Sequence, residues 1–254
     1  MHPVPYDVPS LEHLRASRHA LIASVPDPGA PGSTRLRPPH TSQALDAPDI
    51  DAEDRDRLLE LAAASATGSV LLTTAATITL VIPPFPIEEQ ADYSEIHVAP
   101  LIEVLERQRS LAVVLLRLGG FSLGLFRGET LVDAKTGQRF VKNRHRKGGQ
   151  SQRRFDRIRE KQTFELFGAV CETAREKLDP YEREIEYVLF GGDRHTLMAF
   201  RKQCTYFERY GQRVMERVLP VPGDPRRAQL ERTPREIWSS DLYVLKRDDT
   251  LDAS

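Results

Sequence analysis

The chain has 254 residues and a formal net charge of −1, with 40% hydrophobic and 29% charged residues. This composition is typical of a globular protein with one large or two small domains, and it excludes general polyanion binding through overall charge. The longest apolar run, Leu111 to Leu116, is far too short to span a bilayer. A signal peptide is not expected, because charged residues interrupt the N-terminus before any apolar run develops.

The first part of the chain predicts little regular structure before residue 50. One short amphipathic helical pattern falls within residues 1–24, and the many Pro and Gly in residues 25–48 predict a flexible connector. A helix is then predicted over residues 49–66, followed by two strands, over 70–74 and 77–82, that form a hairpin.

The middle of the chain predicts a β-meander that leads into a long helix. A helix over residues 99–108 precedes three strands within residues 111–133. Ser151 is a suitable N-cap for the long amphipathic helix, which Asp179 and Pro180 end.

The remaining chain alternates strands and helices. Strands are predicted over residues 186–190, 217–222 and 237–245, with a helix that starts near Asp193 and a loop over 222–235. The whole pattern predicts an α+β or mixed α/β fold, in which helices pack on a mixed β-sheet.

The expected domain division has four parts. Residues 1–50 form the N-terminal segment with its Pro-rich connector, and residues 51–109 form a smaller N-terminal α/β region. Residues 110–245 form the main domain, and residues 246–254 form a flexible tail.

One basic stretch, residues 142–161, carries the candidate functional residues. It holds nine Lys or Arg against two acids, Asp156 and Glu160, so its net charge is +7. At its centre lies Gly148-Gly149-Gln150. Paired glycines reach backbone conformations closed to other residues, and a neutral amide can orient a water molecule or an oxyanion. The local charge predicts docking on a polyanion.

This stretch resembles the Gly-Gly-Gln loop in the middle domain of the class I release factors of eukaryotes and archaea. The likeness includes His145 and the Ser-x-x-Arg-Phe-x-Arg-x-Arg continuation that starts at Ser151, and it covers roughly residues 110–220. The chain as a whole is similar to the Vms-like release factor (VLRF) family, whose members act in ribosome-associated quality control. The resemblance implies a release-factor middle-domain fold, which is RNase H-like.

The resemblance also implies hydrolysis of the ester that joins a nascent peptide to tRNA. Gln150 would carry the reaction, and Gly148 and Gly149 would let it enter the peptidyl-transferase centre. The expected partners are the RNA of the large ribosomal subunit and peptidyl-tRNA. The protein is expected to be a cytoplasmic monomer that needs no membrane, cofactor or metal. Because no Asn-Ile-Lys-Ser element is found, release should not depend on a stop codon.

The residues expected to bind RNA are the cations in and after the loop, since they would neutralise phosphates. They are Lys142, Arg144, His145, Arg146, Lys147, Arg153, Arg154, Arg157 and Arg159. For His145 a proton-transfer role, an RNA contact and a loop-ordering hydrogen bond stay open. Arg154, Arg157 and Arg159 could instead form a solvated helix face.

Other readings of the same residues remain open. The protein could be a ribonuclease that cuts tRNA near its 3′ CCA end, a non-catalytic ribosome-binding or recycling factor, or a basic RNA-binding protein with a simple Gly-Gly turn. Phe155 is predicted to lie in the core. Cys171 and Cys204 are interpreted as small core side chains, too few for a disulfide framework or a zinc site. His195 and Tyr206 show no partner spacing that indicates a site.

Overall fold

A computed structural model describes residues 11–41, 50–141 and 150–247, the last range from residue 154 where side chains are concerned. Its strands are β1 (Glu12–Ala16), β2 (Pro31–Arg37), β3 (Ser69–Thr73), β4 (Thr77–Ile82), β5 (Ala91–Glu95), β6 (Ser110–Arg117), β7 (Gly120–Arg127), β8 (Thr130–Gln138), β9 (Tyr187–Gly192), β10 (Val214–Leu219) and β11 (Ser240–Lys246). Its α-helices are α1 (Arg18–Ser24), α2 (Ala52–Ala63), α3 (Ala99–Glu106), α4 (Gln150–Leu178), α5 (Arg194–Gln203) and α6 (Arg227–Ile237). Two 3₁₀ segments, Asp179–Tyr181 and Thr205–Arg213, follow α4 and α5.

The chain divides into two compact units, one from residues 1–107 with 237–254 and the other from residues 108–236. The first unit holds a six-stranded antiparallel sheet with strand order β1-β11-β4-β3-β2-β5. Leu58 of α2 packs with Leu71, Ile78, Leu80 and Leu245 in its core. The predicted helix over residues 49–66 and the predicted hairpin are confirmed by α2, β3 and β4.

Strand β2 lies inside the predicted flexible connector, so that prediction is wrong for residues 31–37. The strand pairs with both β3 and β5, and its Leu36 is fully buried. Because Arg37 is charged, this stretch looks polar in the sequence, although the Arg37 side chain is buried. The guanidinium of Arg37 lies 2.7 Å from the carboxylate of Asp92 on β5, which compensates the buried charge. This contact also lowers the pKa of Asp92, chiefly through the hydrogen bond from Arg37.

Three further stretches have a secondary structure that differs from the one predicted from the sequence. Residues 12–16 form strand β1 rather than helix, and β5 was not predicted. Residues 227–237 form helix α6 rather than a loop, with Pro234 tolerated inside it. Isolated Pro and short edge strands mislead because neighbouring elements, not local preference, decide their conformation.

The second unit holds a five-stranded mixed sheet with strand order β10-β9-β6-β7-β8. β9 pairs in parallel with both β6 and β10, while β6, β7 and β8 form the antiparallel meander that the sequence predicts. Leu111 to Leu116 of the central β6 are fully buried, which explains their unbroken apolar run. The predicted fold class, helices packed on a mixed sheet, is confirmed. The strand predicted over residues 237–245 exists as β11 but pairs with β1 and β4 of the first unit.

Candidate functional site

The basic loop is attached to the second unit at both of its ends. On the incoming side, the backbone N–H of Arg139 donates to the carbonyl of Gly119 at 3.0 Å, and Val141 is buried in the core. On the outgoing side, Gln150 is the first residue of α4. The described residues on both sides of residues 142–149 therefore belong to the second unit.

Most of the predicted site residues fall in the loop itself. Gly148 and Gly149, with Lys142, Arg144, His145, Arg146 and Lys147, lie outside the described residues. Gln150 and Arg153 begin α4, and only their backbone is described. Because the helix already includes Ser151, the prediction that Ser151 caps it is wrong.

The start of α4 is suited to hold negative charge. The first four backbone N–H groups of a helix have no partner within it, and the helix dipole adds partial positive charge there. Gln150 lies at this end, and the first turn of α4 contains no acid that would neutralise it. An oxyanion that develops beside Gln150 would meet donors with a fixed direction.

The described cations of α4 divide into two kinds. Arg154 and Arg157 are exposed, and neither forms an ion pair with a described residue. Arg159 is half-buried along a groove, and its Nε atom is buried without a hydrogen-bond partner among the described residues. Arg154 and Arg157 are thus free to bind an external anion, whereas Arg159 faces a neighbouring helix.

Three exposed aromatic side chains accompany these cations. Phe140 is 75% exposed, Phe155 48% and Phe164 64%. The prediction that Phe155 lies in the core is wrong, because no described residue from 154 to 164 is buried. Phe140 and Phe164 are not among the residues predicted for the site. A signal was present: the apolar spacing of α4 is interrupted between Ile158 and Phe164 by polar residues alone.

A groove of about 740 Å³ separates the exposed half of α4 from α5. Asp193 caps α5 by accepting hydrogen bonds from the backbone N–H and the hydroxyl of Thr196. The pKa of Asp193 is lowered, chiefly by the hydrogen bond from the backbone N–H. His195 follows it along the wall of the groove. Sequence spacing could not place His195 in this groove, since the facing residues lie on α4, 28 to 39 positions earlier.

The other half of α4 is firmly attached to the unit. A disulfide joins Cys171 of α4 to Cys204 at the end of α5, with a Cα–Cα distance of 5.8 Å. Both cysteines are buried, as interpreted from the sequence, but their bond was not predicted. The hydroxyl of Tyr206 donates to Asp179 at 2.9 Å, and burial raises the pKa of this tyrosine. Tyr206 is therefore a structural residue.

Two absences hold for the part of the chain that the structure describes. None of its helices is both long and apolar enough to cross a membrane. Within the same ranges, no group of three or more His, Cys, Asp or Glu side chains is arranged to hold a metal ion.

The chain is similar in sequence to archaeal peptide chain release factors. The chain is 31% identical over 117 residues to peptide chain release factor subunit 1 of Archaeoglobus fulgidus, covering 46% of this chain and 29% of the relative. It is also 31% identical over 124 residues to the same factor of Methanopyrus kandleri, covering 48% of this chain and 30% of the relative. The chain thus spans less than a third of these relatives.

The family match is more extensive. Residues 109–243, more than half of the chain, match the Actinobacteria/Chloroflexi VLRF1 release factor family, and the protein belongs to that family. Among solved structures, an archaeal translation termination factor, aRF1, superposes with a TM-score of 0.40 at 16% identity, covering 88% of this chain and 73% of that one. The Vms1 mitochondrial localization core gives 0.38 at 8% identity, covering 84% and 92%.

Proposed function

We propose that this protein is a codon-independent peptidyl-tRNA hydrolase that frees nascent peptides from tRNA on stalled or split large ribosomal subunits. The observation that carries the proposal is the position of Gln150, which follows two glycines and begins the 29-residue helix α4. Membership of the VLRF1 release factor family supports it. The expected partners are ribosomal RNA and peptidyl-tRNA, in the cytoplasm.

The ester of peptidyl-tRNA needs a positioned water and a stabilised tetrahedral oxyanion. Placing reactants in attack geometry supplies several kcal/mol of the barrier, and a donor aimed at the oxyanion typically adds about 2.7–4 kcal/mol. Gln150 can offer its backbone N–H or its side-chain amide, and the dipole of α4 acts in the same direction. Gly148 and Gly149 have no side chains to obstruct entry into the peptidyl-transferase centre.

The cations would hold the protein on RNA while this chemistry takes place. Arg154 and Arg157 are exposed and unpaired among the described residues, so they can bind phosphates without breaking an internal ion pair. The cations of the loop and Arg153 are proposed to act with them. Arg159, which lines the groove beside α5, is proposed to bind RNA as well.

The deciding experiment uses purified large subunits that carry peptidyl-tRNA, without mRNA or small subunit. Ester hydrolysis yields a peptide with a free carboxylate and a tRNA whose CCA end accepts a new amino acid without repair. A nuclease of the alternative kind would leave a shortened tRNA and a peptide that still carries nucleotides. Binding without either product would mean a non-catalytic factor, and dependence on a stop codon would contradict codon independence.

A further inference from the structure

We propose that the disulfide between Cys171 and Cys204 positions Gln150 for peptide release, so that the rate of release depends on the redox state of this pair. The inference rests on the proposed function and assigns a positioning role to two residues far from the reacting end. Gln150 lies 21 residues before Cys171 on α4, which corresponds to about 32 Å at 1.5 Å per residue. The bond therefore acts on the reaction through the helix.

Gly168 is the weak point of α4, and it lies close to the boundary between the exposed and the buried part of this helix. It is the only glycine of α4, and glycine inside a helix is less favourable than alanine and leaves the backbone freer to bend. Packing does not explain its presence. Apart from its chain neighbours and the backbone of α4, no described atom lies within 4 Å of a Cβ placed at this position.

Two consecutive residues at the end of α5 hold α4 on both sides of Gly168. Cys204 is bonded to Cys171, three residues after the glycine. The side-chain amide of Gln203 donates a hydrogen bond of 2.9 Å to the backbone carbonyl of Phe164, four residues before the glycine. In an α-helix, this is the carbonyl that accepts from the N–H of Gly168. The two attachments together form a brace across Gly168.

The disulfide is the stronger part of this brace. Both cysteines are buried, whereas the hydrogen bond of Gln203 is exposed to water, and such a bond contributes little by itself. Reduction by a dithiol transfers two electrons and two protons to the disulfide: the dithiol becomes a disulfide, and Cys171 and Cys204 become thiols. A low-molecular-weight disulfide reverses this exchange. Reduction therefore leaves the brace with its weaker part.

A small movement at the brace is amplified at Gln150. No described residue from 154 to 164 is buried, so the core does not hold this part of α4. At 1.5 Å per residue the helix extends about 21 Å from Phe164 to Gln150, so a tilt of about 5° displaces Gln150 by about 2 Å. A misplacement of about 1 Å can lower a rate roughly 100-fold. Affinity depends on many phosphate contacts and is less sensitive to the position of one residue.

The test compares single-turnover peptide release by the oxidised and the reduced protein, on large subunits that carry peptidyl-tRNA. Reduction should slow release roughly tenfold with unchanged affinity for the subunits, and re-oxidation should restore it. The double variant Cys171→Ala/Cys204→Ala removes both cysteines of the chain and should release at the reduced rate with and without reductant. A response of this variant would trace the effect to the ribosome. Equal release by the oxidised and the reduced wild type would overturn the proposal.

Two further variants separate positioning from general stability. Leu189 lies between Val188 and Phe190, which pack in the core cluster with α4, so its side chain points to the opposite face of the sheet. Leu189→Ala should destabilise the fold about as much as loss of the disulfide, yet release normally while folded. Gly168→Ala stiffens α4 where space allows, so reduction should slow this variant much less than the wild type. Slow release by Leu189→Ala, or a full loss in reduced Gly168→Ala, would refute the positioning role.

Hydrogen exchange examines the brace without the ribosome. Reduction should accelerate amide exchange in residues 164–171 of α4, and Gln203→Ala should do so to a smaller extent. Gln229→Ala on α6 is the matched control and should exchange like the wild type. Exchange that is unchanged by reduction would refute the brace. If exchange responded but the oxidised wild type released no peptide, the proposed function and the positioning of Gln150 would both be refuted, and the brace would stand.

Discussion

The two halves of α4 lie in different surroundings although they form one continuous helix. From Arg154 to Phe164 no described residue is buried, whereas Leu166, Val170, Ala174 and Leu178 are completely buried. The second half is further held by the disulfide and by Lys177, whose ammonium lies 3.1 Å from the carboxylate of Asp133 on β8. The second half of α4 is therefore fixed in the second unit, whereas the first half, which includes Gln150, is exposed to solvent.

The comparison shows how one helix can serve stability and recognition separately. The second half follows apolar spacing and contributes to the core. The first half replaces that spacing with cations and exposed aromatics, which stabilise the fold little and remain available for RNA. If this division holds, substitutions in the two halves should have opposite effects on stability and on function.

The largest expected effect is the loss of release on replacing Gln150 at the solvated end. Gln150→Ala should lower single-turnover peptide release roughly 100- to 1,000-fold, as removal of an oxyanion donor does elsewhere, with binding to large subunits unchanged. Gln152→Ala, the same change two residues later, is the control and should release normally. Equal release by the Gln150 variant and the wild type would remove Gln150 from the mechanism.

The next largest expected effect is a loss of stability, and it should differ between two bulky side chains that lie two residues apart. Leu166→Ala should destabilise the protein by about 2–5 kcal/mol, because it opens a cavity beneath a fully buried position. Phe164→Ala, at an exposed position, should stay within about 0.5 kcal/mol of the wild type. Denaturant titrations measure both, and similar losses in the two variants would disprove the division of α4.

The disulfide should contribute mainly to the anchored half. Cys171 and Cys204 are 33 residues apart, and a crosslink over a loop of this size typically stabilises by about 2–4 kcal/mol. The melting temperature of the oxidised protein should therefore be well above that of the reduced protein. Mass spectrometry under non-reducing conditions checks that the bond is present, and two free thiols in the folded protein would contradict the structure.

Charge at the solvated end should appear in the salt dependence of binding. If Arg154 and Arg157 each contact a phosphate, replacing both by Ala should reduce the slope of log affinity against log salt by about 1.4. Removing two exposed arginines elsewhere in the second unit, Arg183 and Arg232, is the matched control for total charge. The same slope for both double variants would mean that docking is not local to α4.

The smallest expected effect concerns the ion pair of Lys177. The hydrogen bond to Asp133 raises the pKa of Lys177, so its stabilisation is present below the unfolded pKa of lysine, about 10.4, and is lost as pH rises through the raised folded value. Asp133→Asn should lower Tm slightly near pH 8, and the difference should shrink as the pH rises past the unfolded pKa of lysine and through the raised folded pKa. A constant difference across this range would show that the pair acts through shape rather than charge.

The sequence identifies what depends on local pattern. The meander and the helix that starts near Asp193 could be predicted, because residue type and spacing specify them. The role of the Gly-Gly-Gln stretch stays a prediction. The environment of Phe155 could not, since its spacing fits a core face whereas its side chain is 48% exposed.

Long-range pairing accounts for the other differences. The bond between Cys171 and Cys204 depends on how α4 and α5 meet, and the burial of Arg37 depends on Asp92, 55 residues later. The groove is likewise formed by residues of two helices. No pattern along the sequence indicates which distant residues come into contact, so these features could be recognised only in the structure.

The position of β11 has a consequence for synthesis of the protein. In the first unit's sheet, β11 lies between β1 and β4, so β1 has no neighbouring strand until residues 240–246 have been made. The second unit, which ends at residue 236, is complete before that point. During translation, the second unit can therefore fold before β11 completes the sheet of the first unit. A protein proposed to rescue stalled ribosomes would itself expose an unfinished sheet edge if its own translation stopped shortly before residue 240.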